Sequence, residues 1–512
     1  MNMTTKLTLI AATFSVPLLF TAPAYAATCE SLSSAKLSNG TVNSAASVAA
    51  GGLAQAGGGG RGGAALADVP AFCRVAATLT PTKESDIKIE VWLPMSGWNG
   101  KLQAVGNGGW NGNIDNNALA GAVRRGYAGT STDTGHQGGA GPWLQNPEKL
   151  ADWSYRSVHE TAVAAKALIN AFYGEAPKFS YFTGCSAGGR QAMVAAQRYP
   201  ADFDGIVAGS PGLDWTSRAL SAVRVNQAFE RDAATKVPAA KFAAINAAVM
   251  DTCDALDGVK DGVLENPKAC TFDPAVLACK GTADNSCLTA AEVATVKAIY
   301  ASPANPKTKR EIAGLAPGSE SSWTELGWSA PARSTGVDLM RFVTNDPQWT
   351  IAQFNFDADV IKAEDKAGIM NALDPNLKPF IDRGGKLIQY HGWNDPQISP
   401  LNSTQYYDSV VKAMGGQNRV SSNYRLFMVP GMAHCGGGTG TSTFDMLTAL
   451  EQWVEGKKAP ESIPASKVQN NATVRTRPLC AYPEVAHYDG RGDINKGENF
   501  ICMKPSPNKV FR

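Results

Sequence analysis

Three shortages frame this chain. Of 512 residues only five are histidine, the charges nearly cancel to a formal net charge of +2, and no stretch of 18 apolar residues occurs beyond the first segment. The near-neutral balance removes the electrostatic footprint that nucleic acid or an anionic membrane surface demands. The missing apolar run excludes insertion of a helix into the membrane. Ten cysteines are present, yet none is spaced C-x-x-C, which argues against zinc ribbons and dithiol redox motifs.

What is present begins with export. Lys6 precedes an apolar run from Leu7 to Phe20, and Ala24-Tyr25-Ala26 supplies small residues before Ala27. Residues 1–26 therefore read as a signal peptide cleaved near Ala26, giving a soluble secreted or periplasmic protein. An even number of cysteines suits that oxidising compartment. Connectivity is not fixed by sequence. Cys253 with Cys270, Cys279 with Cys287 and Cys480 with Cys502 are local pairs, Cys29 and Cys73 bracket the N-terminal segment, and Cys185 and Cys435 remain. The composition, 44% hydrophobic and 18% charged, is that of a packed globular chain, long enough for one enlarged domain or two.

Segments 87–92, 101–110, 126–133, 179–184, 203–211, 386–395 and 424–435 have the patterning of strands. Residues 155–173 and those after Arg190 have that of helices. The alternation predicts a mostly parallel sheet covered on both faces. The Ala/Gly-rich stretch 46–65 reads as a surface loop.

Gly184-Cys185-Ser186-Ala187-Gly188 lies between a strand and a helix. This is the G-x-S-x-G turn, whose small neighbours let a serine hydroxyl project above a sheet edge. A hydroxyl needs a base before it attacks. Among His136, His159, His391, His434 and His487, only His434 combines a late strand end with an adjacent cysteine, Cys435. A bridge between Cys185 and Cys435 would hold the serine and the histidine within reach of each other. Asp395, after the strand at 386 and 39 residues before His434, takes the carboxylate position, with Asp133 the weaker alternative. "GNGGW", 106–110, resembles the glycine loops that lend an oxyanion-hole N–H. One donor is expected from Gly109 or Gly108 and the other from Ala187.

The segments "GCSAGGRQ", "YHGWND" and "VPGMAHCGGG", with "GWNGKLQAVGNGGWNG" and "RPLCAYP", resemble the tannase and feruloyl esterase family, which includes bacterial hydrolases of mono(hydroxyethyl) terephthalate. The likeness runs through nearly the whole mature chain. It implies an α/β-hydrolase core, residues 27–213 and 381–512, with a lid at 214–380. It also implies a Ser186, Asp395, His434 triad and a Cys185–Cys435 bridge. The 209 residues from Ser186 to Asp395 exceed what a bare core needs, in keeping with an insertion. Asp254, Asp257 and Asp261, among Gly258 and Gly262, read as a solvated acidic turn or a calcium loop. The resemblance implies structural calcium in the lid, with the carbonyls of Val259 and Val263 completing the ligands.

The expected activity is hydrolysis of a small aromatic ester through an acyl-enzyme, without an organic cofactor. Hydroxycinnamoyl (feruloyl-type) esters are the expected substrates, with galloyl esters of tannins or terephthalate monoesters as alternatives. A non-catalytic exported binding protein is the remote alternative, disfavoured by an intact serine, acid and histidine. An aromatic acyl group wants a flat apolar slot, for which Trp393, Trp328, Arg333, Arg341 and Phe342 are the candidate contacts.

Overall fold

Short apolar segments separated by glycine and polar turns build one central sheet. The computed structural model describes residues 27–53, 66–230, 232–326 and 335–505; residues 1–26, expected to be a signal peptide, and Trp328 and Arg333 lie outside the described residues. The ten strands are β1 (Lys36–Leu37), β2 (Gly40–Val48), β3 (Phe72–Leu79), β4 (Ile87–Pro94), β5 (Lys101–Val105), β6 (Ala128–Thr132), β7 (Phe179–Cys185), β8 (Gly205–Gly209), β9 (Lys386–Gly392) and β10 (Tyr424–Val429). Their order is β1-β2-β3-β4-β6-β5-β7-β8-β9-β10.

Five pairings, from β6–β5 through β9–β10, are parallel, and the four from β1 to β6 are antiparallel. The sheet is therefore mixed rather than mostly parallel. The difference arises from β2 and β3, whose Ala, Ser and Thr content hides their strand character. Within the stretch expected to be a loop, residues 46–48 complete β2.

Both faces are covered, as a sheet with buried central strands requires. On one face, helix Ser157–Tyr173 sets Ala165, Leu168, Ile169 and Phe172 against Val75, Ile89 and Val91. On the other, helix Met446–Val454 packs with Tyr181, Val207, Ile388 and Phe427.

Among the described residues between Gly209 and Lys386, none adds a strand to this sheet. That insertion is largely helical and has its own buried cluster around Phe242, Ile245, Val296 and Trp323. It joins the core through a second cluster, in which Trp110, Trp153 and Ala187 meet Trp215, Leu339 and Phe342. Truncating a buried tryptophan of this kind costs about 3–5 kcal/mol, so the insertion is firmly seated at this cluster. After β10, two antiparallel hairpins follow, Ser462–Gln469 with Ala472–Cys480 and Val485–Tyr488 with Phe500–Met503.

All ten cysteines are paired: Cys29–Cys73, Cys185–Cys435, Cys253–Cys270, Cys279–Cys287 and Cys480–Cys502. Among the described residues no helix is long and apolar enough to cross a membrane.

Candidate active site

Ser186 sits between β7 and helix Ala187–Arg198 with φ 64° and ψ −121°. A non-glycine residue held there costs about 1–3 kcal/mol and persists only where its surroundings enforce it. The enforcement comes from three glycines. A Cβ on Gly184 would lie 2.5 Å from the Gly188 carbonyl carbon, and one on Gly106 would lie 2.5 Å from Gly188 Cα. Backbones from β7, the helix and the loop after β5 thus touch where side chains would hold them apart. Ser186 is partly exposed, and its Oγ has no hydrogen-bond partner among the described residues.

Cys185 and Cys435 form a disulfide with Cα atoms 6.0 Å apart, across 250 residues of sequence. The elbow and the loop carrying His434 are therefore one covalent unit. His434 Nδ1 donates to Asp395 Oδ2 at 2.7 Å, leaving Nε2 as the acceptor.

Asp395 has no exposed surface. Its Oδ1 accepts from the backbone N–H of Gln397 at 2.8 Å and of Ile398 at 2.9 Å. Burial alone would raise its pKa, but the charge and N–H of His434, together with those of His391, hold it well below the ordinary carboxylate range.

His391, a histidine expected in a loop near the site, lies instead inside β9 and joins this group behind the acid. Its Nε2 lies 3.2 Å from Asp395 Oδ2 and 3.1 Å from the Ile398 carbonyl, while Nδ1 lies 2.7 Å from Ser403 Oγ. Gln389 Nε2 donates to Ser403 Oγ at 2.6 Å, and the Tyr424 hydroxyl donates to Gln389 Oε1. With Ser403 accepting from Gln389, its own proton goes to His391 Nδ1, so His391 Nε2 carries the proton directed at Asp395. A buried relay of Tyr424, Gln389, Ser403 and His391 thus supports the acid from behind. Asp133 is elsewhere, accepting from the N–H groups of Lys88 and Gly135 at 2.9 Å each.

Ser186 and Gly109 line one cavity of about 200 Å³. Gly109 has φ 56°, a conformation glycine adopts without strain, whereas Gly108 closes a turn by accepting from Asn111 N at 3.0 Å. Ala187 opens the helix, so its N–H has no acceptor within the helix. The Gly109 loop is braced by His136, whose Nε2 donates to the Trp110 carbonyl at 2.6 Å while its ring stacks on Trp143 at 4.1 Å. Burial lowers the pKa of His136.

Of the expected substrate contacts, the three among the described residues, Trp393, Arg341 and Phe342, do not line this cavity. Trp393 is 2% exposed within the core cluster of Phe182, Met193 and Tyr424, because its backbone N–H is tied to Val429 at 2.9 Å. Arg341 and Phe342 line a separate groove with Gln145. What the cavity holds instead is one face of the middle of helix Trp215–Glu230, including Arg218, Ala222 and Val225. Nothing in the helical periodicity marks this face as a site wall.

In the acidic loop, Asp254 accepts from the N–H of Gly262 and of Val263, Asp257 from those of Val259 and Glu265, and Asp261 from Val263. Among the described residues no group of three or more His, Cys, Asp or Glu side chains is already set to hold a metal ion. The chemistry of the donors still fits a hard cation. Burial, then the charges of Asp261 and Asp254, push Asp257 up to about 7. Burial and Asp257 push Glu265 well above the usual range. Among the described residues Arg477 and Arg475 form ion pairs with Asp261, and the charge of Arg477 is also felt at Glu265. The loop carries more buried negative charge than its own cations offset.

The profile of the tannase and feruloyl esterase family matches residues 73–503. An uncharacterised esterase of Xanthomonas campestris pv. campestris is 38% identical, covering 96% of this chain and 94% of that protein. Mono(2-hydroxyethyl) terephthalate hydrolase of Piscinibacter sakaiensis is 34% identical, covering 86% of each chain. The crystal structure of feruloyl esterase B from Aspergillus oryzae superposes with a TM-score of 0.85 at 31% identity, over 93% of this chain and 99% of that one. With its mixed α/β sheet, glycine-set serine elbow and full-length likeness, the chain belongs to the tannase and feruloyl esterase family of carboxylic ester hydrolases.

Proposed function

We propose that the protein is an exported serine carboxylesterase that cleaves esters of aromatic acids of the hydroxycinnamoyl type through an acyl-enzyme. The observation that carries this reading is the Cys185–Cys435 bridge, which ties a strained, partly exposed Ser186 to the loop of His434, itself fixed by a buried Asp395.

Each group has one task. His434 Nε2 takes the Ser186 proton as Oγ attacks the ester carbonyl carbon, and the C=O π electrons move onto oxygen. The N–H groups of Ala187 and Gly109 meet that oxyanion, a contact worth about 3–4 kcal/mol per donor in such sites. Asp395, ionised through its low pKa, stabilises the imidazolium and fixes its tautomer. On collapse the C–O bond to the alcohol breaks and the alcohol leaves with the proton from His434. Water, deprotonated by the same nitrogen, then attacks the acyl-enzyme and frees the acid and Ser186. The insertion closes one wall of the cavity and keeps bulk water from the acyl group.

Calcium is proposed as a structural ion held by Asp254, Asp257, Asp261 and the carbonyls of Val259 and Val263. Its contribution there is charge compensation within the insertion. Export rests on residues 1–26 and on five disulfides, which persist in oxidising compartments; the mass of the mature protein should place its N-terminus at Ala27.

The test is kcat/KM on methyl ferulate, methyl gallate and mono(2-hydroxyethyl) terephthalate, with Ser186→Ala as control. Ferulate should exceed gallate, because recognition of three hydroxyls needs a set of polar partners whose loss costs about 10⁴-fold. A tenfold advantage for gallate would replace the hydroxycinnamoyl reading with a tannase. The terephthalate monoester is the second reading. One specific observation favours it, the position of Arg218 in the cavity.

A further inference from the structure

Arg218 is the one charged side chain among the described residues lining the Ser186 cavity. Its Nε donates to the Gln397 carbonyl at 3.2 Å, and the guanidinium lies 5.1 Å from the centre of the Trp215 ring. Nη1 is shut off from solvent without a hydrogen-bond partner among the described residues. A guanidinium offers five N–H donors in a planar fork suited to carboxylate, and here one is used.

Other arginines that are wholly or partly buried spend more of their N–H groups: Arg190 donates to the carbonyls of Ser154, Met370 and Trp153, and Arg224 to those of Ala298 and Ala301, each with only Nε left over among the described residues. Arg310 pairs with both Asp214 and Glu364, and Arg74 makes a two-point pair with Glu90. Among the described residues Arg218 has no such partner. Asp395 is near enough for its charge to be felt at Arg218. Its oxygens, however, are taken by His434, His391 and the N–H groups of Gln397 and Ile398. A cation kept partly buried and unpaired is costly, unless its counter-charge arrives with a ligand. The wall beside it, Ala222, Val225 and Leu315, is apolar and suits a ring.

We propose that Arg218 is the specificity-determining cation of this site and that the ester it selects carries a carboxylate. The inference rests on the serine esterase reading above and narrows its substrate. Two kinds of ester meet the requirement: one with the carboxylate on the acyl ring, as in a terephthalate monoester, and one with it on the alcohol, as in a hydroxycinnamate ester of a hydroxy acid. In both, the anion takes the N–H groups that Arg218 presents to the cavity while the carbonyl faces Ser186.

The test uses two matched pairs that differ only in the carboxylate. They are monomethyl against dimethyl terephthalate, and caffeoylquinate against its methyl ester. The readout is the ratio of kcat/KM within each pair for the wild type, Arg218→Met and Arg218→Lys. The wild type should prefer the charged member at least tenfold in one pair, which identifies the side that bears the anion. Arg218→Met should bring that ratio to about one, and Arg218→Lys should keep part of it. Competitive inhibition of the wild type by terephthalate, at least tenfold stronger than by terephthalamide, checks the same point without a variant. A wild-type ratio near one in both pairs would overturn the proposal, as would a ratio unchanged in Arg218→Met. If no ester is turned over and a fluorophosphonate fails to label Ser186, it is the esterase reading that fails.

Discussion

Removing the bridge beside the nucleophile separates what it does for catalysis from what it does for stability. The perturbation is the double substitution Cys185→Ser, Cys435→Ser. In the chain-entropy picture, closing a loop of 250 residues restricts the unfolded chain by about 5 kcal/mol, an upper figure because two other bridges lie inside the loop. A lower Tm is therefore expected, and would by itself say nothing about chemistry. The catalytic effect follows from geometry. Without the 6.0 Å Cα–Cα tether, His434 is held by its bond to Asp395 and by its own loop, while Ser186 stays on the elbow. A displacement of about 1 Å between reacting groups costs on the order of 100-fold.

Hydrolysis of p-nitrophenyl acetate, measured well below the lowered Tm, should show kcat reduced about 100-fold with KM within a few-fold of wild type. The Cys480→Ser, Cys502→Ser pair serves as control; it should lose stability and keep kcat. Wild-type kcat in the Cys185→Ser, Cys435→Ser protein would refute the idea that the bridge sets catalytic geometry.

Replacing His391 by Phe should lower kcat about 10- to 100-fold at nearly constant KM, because Asp395 loses one of its supporting donors, while His391→Gln, which can still donate, should recover part of the rate. Asp133, which burial pushes up to about 7, keeps its proton in the folded state at pH values where the unfolded chain has released it. Stability from this group is thus fullest at low pH and is lost as pH rises from about 4 to 7, so Asp133→Asn should flatten the fall in Tm over that window; an unchanged Tm profile would contradict the assignment. Gly188→Ala should cut kcat at least tenfold, since the added Cβ would meet the Asn107 carbonyl at 2.9 Å and displace the Gly109 loop. Metal analysis of protein purified without chelator should find one calcium per chain, and EDTA should lower Tm by several degrees with little change in kcat at low temperature; metal-free protein of undiminished Tm would remove the ion from the account.

Much of the site was legible because its constraints are local. A serine flanked by Gly184, Ala187 and Gly188 between an apolar strand and a helix leaves few geometries, and β7, β8, β9 and β10 read as strands from their own composition. The two ends of the sheet were less legible. In β2 the residues GTVNSAASV carry little hydrophobic signal, and their strand state depends on pairing with β3, which sequence patterning does not reveal. Arg218 was missed for a related reason, since a basic residue in the first turn of a helix reads as a solvated face until the cavity is seen. His391 reads from the sequence as a residue near the site, but its task was not legible, because it depends on Ser403 and Gln389, side chains brought to it by the fold. Trp393 shows the reverse error, for nearness in sequence to Asp395 does not place a ring in the slot when its backbone is tied to β10.

The central claim is that Ser186, activated by His434 and Asp395, is the nucleophile. Intact-protein and peptide mass spectrometry after a fluorophosphonate probe, with ester hydrolysis followed in parallel, tests it most directly. One covalent adduct per chain on the peptide containing Ser186, at least 100-fold slower labelling in His434→Ala, and no adduct or turnover in Ser186→Ala are the predicted results. An adduct on another residue, or ester hydrolysis surviving in Ser186→Ala, would contradict it.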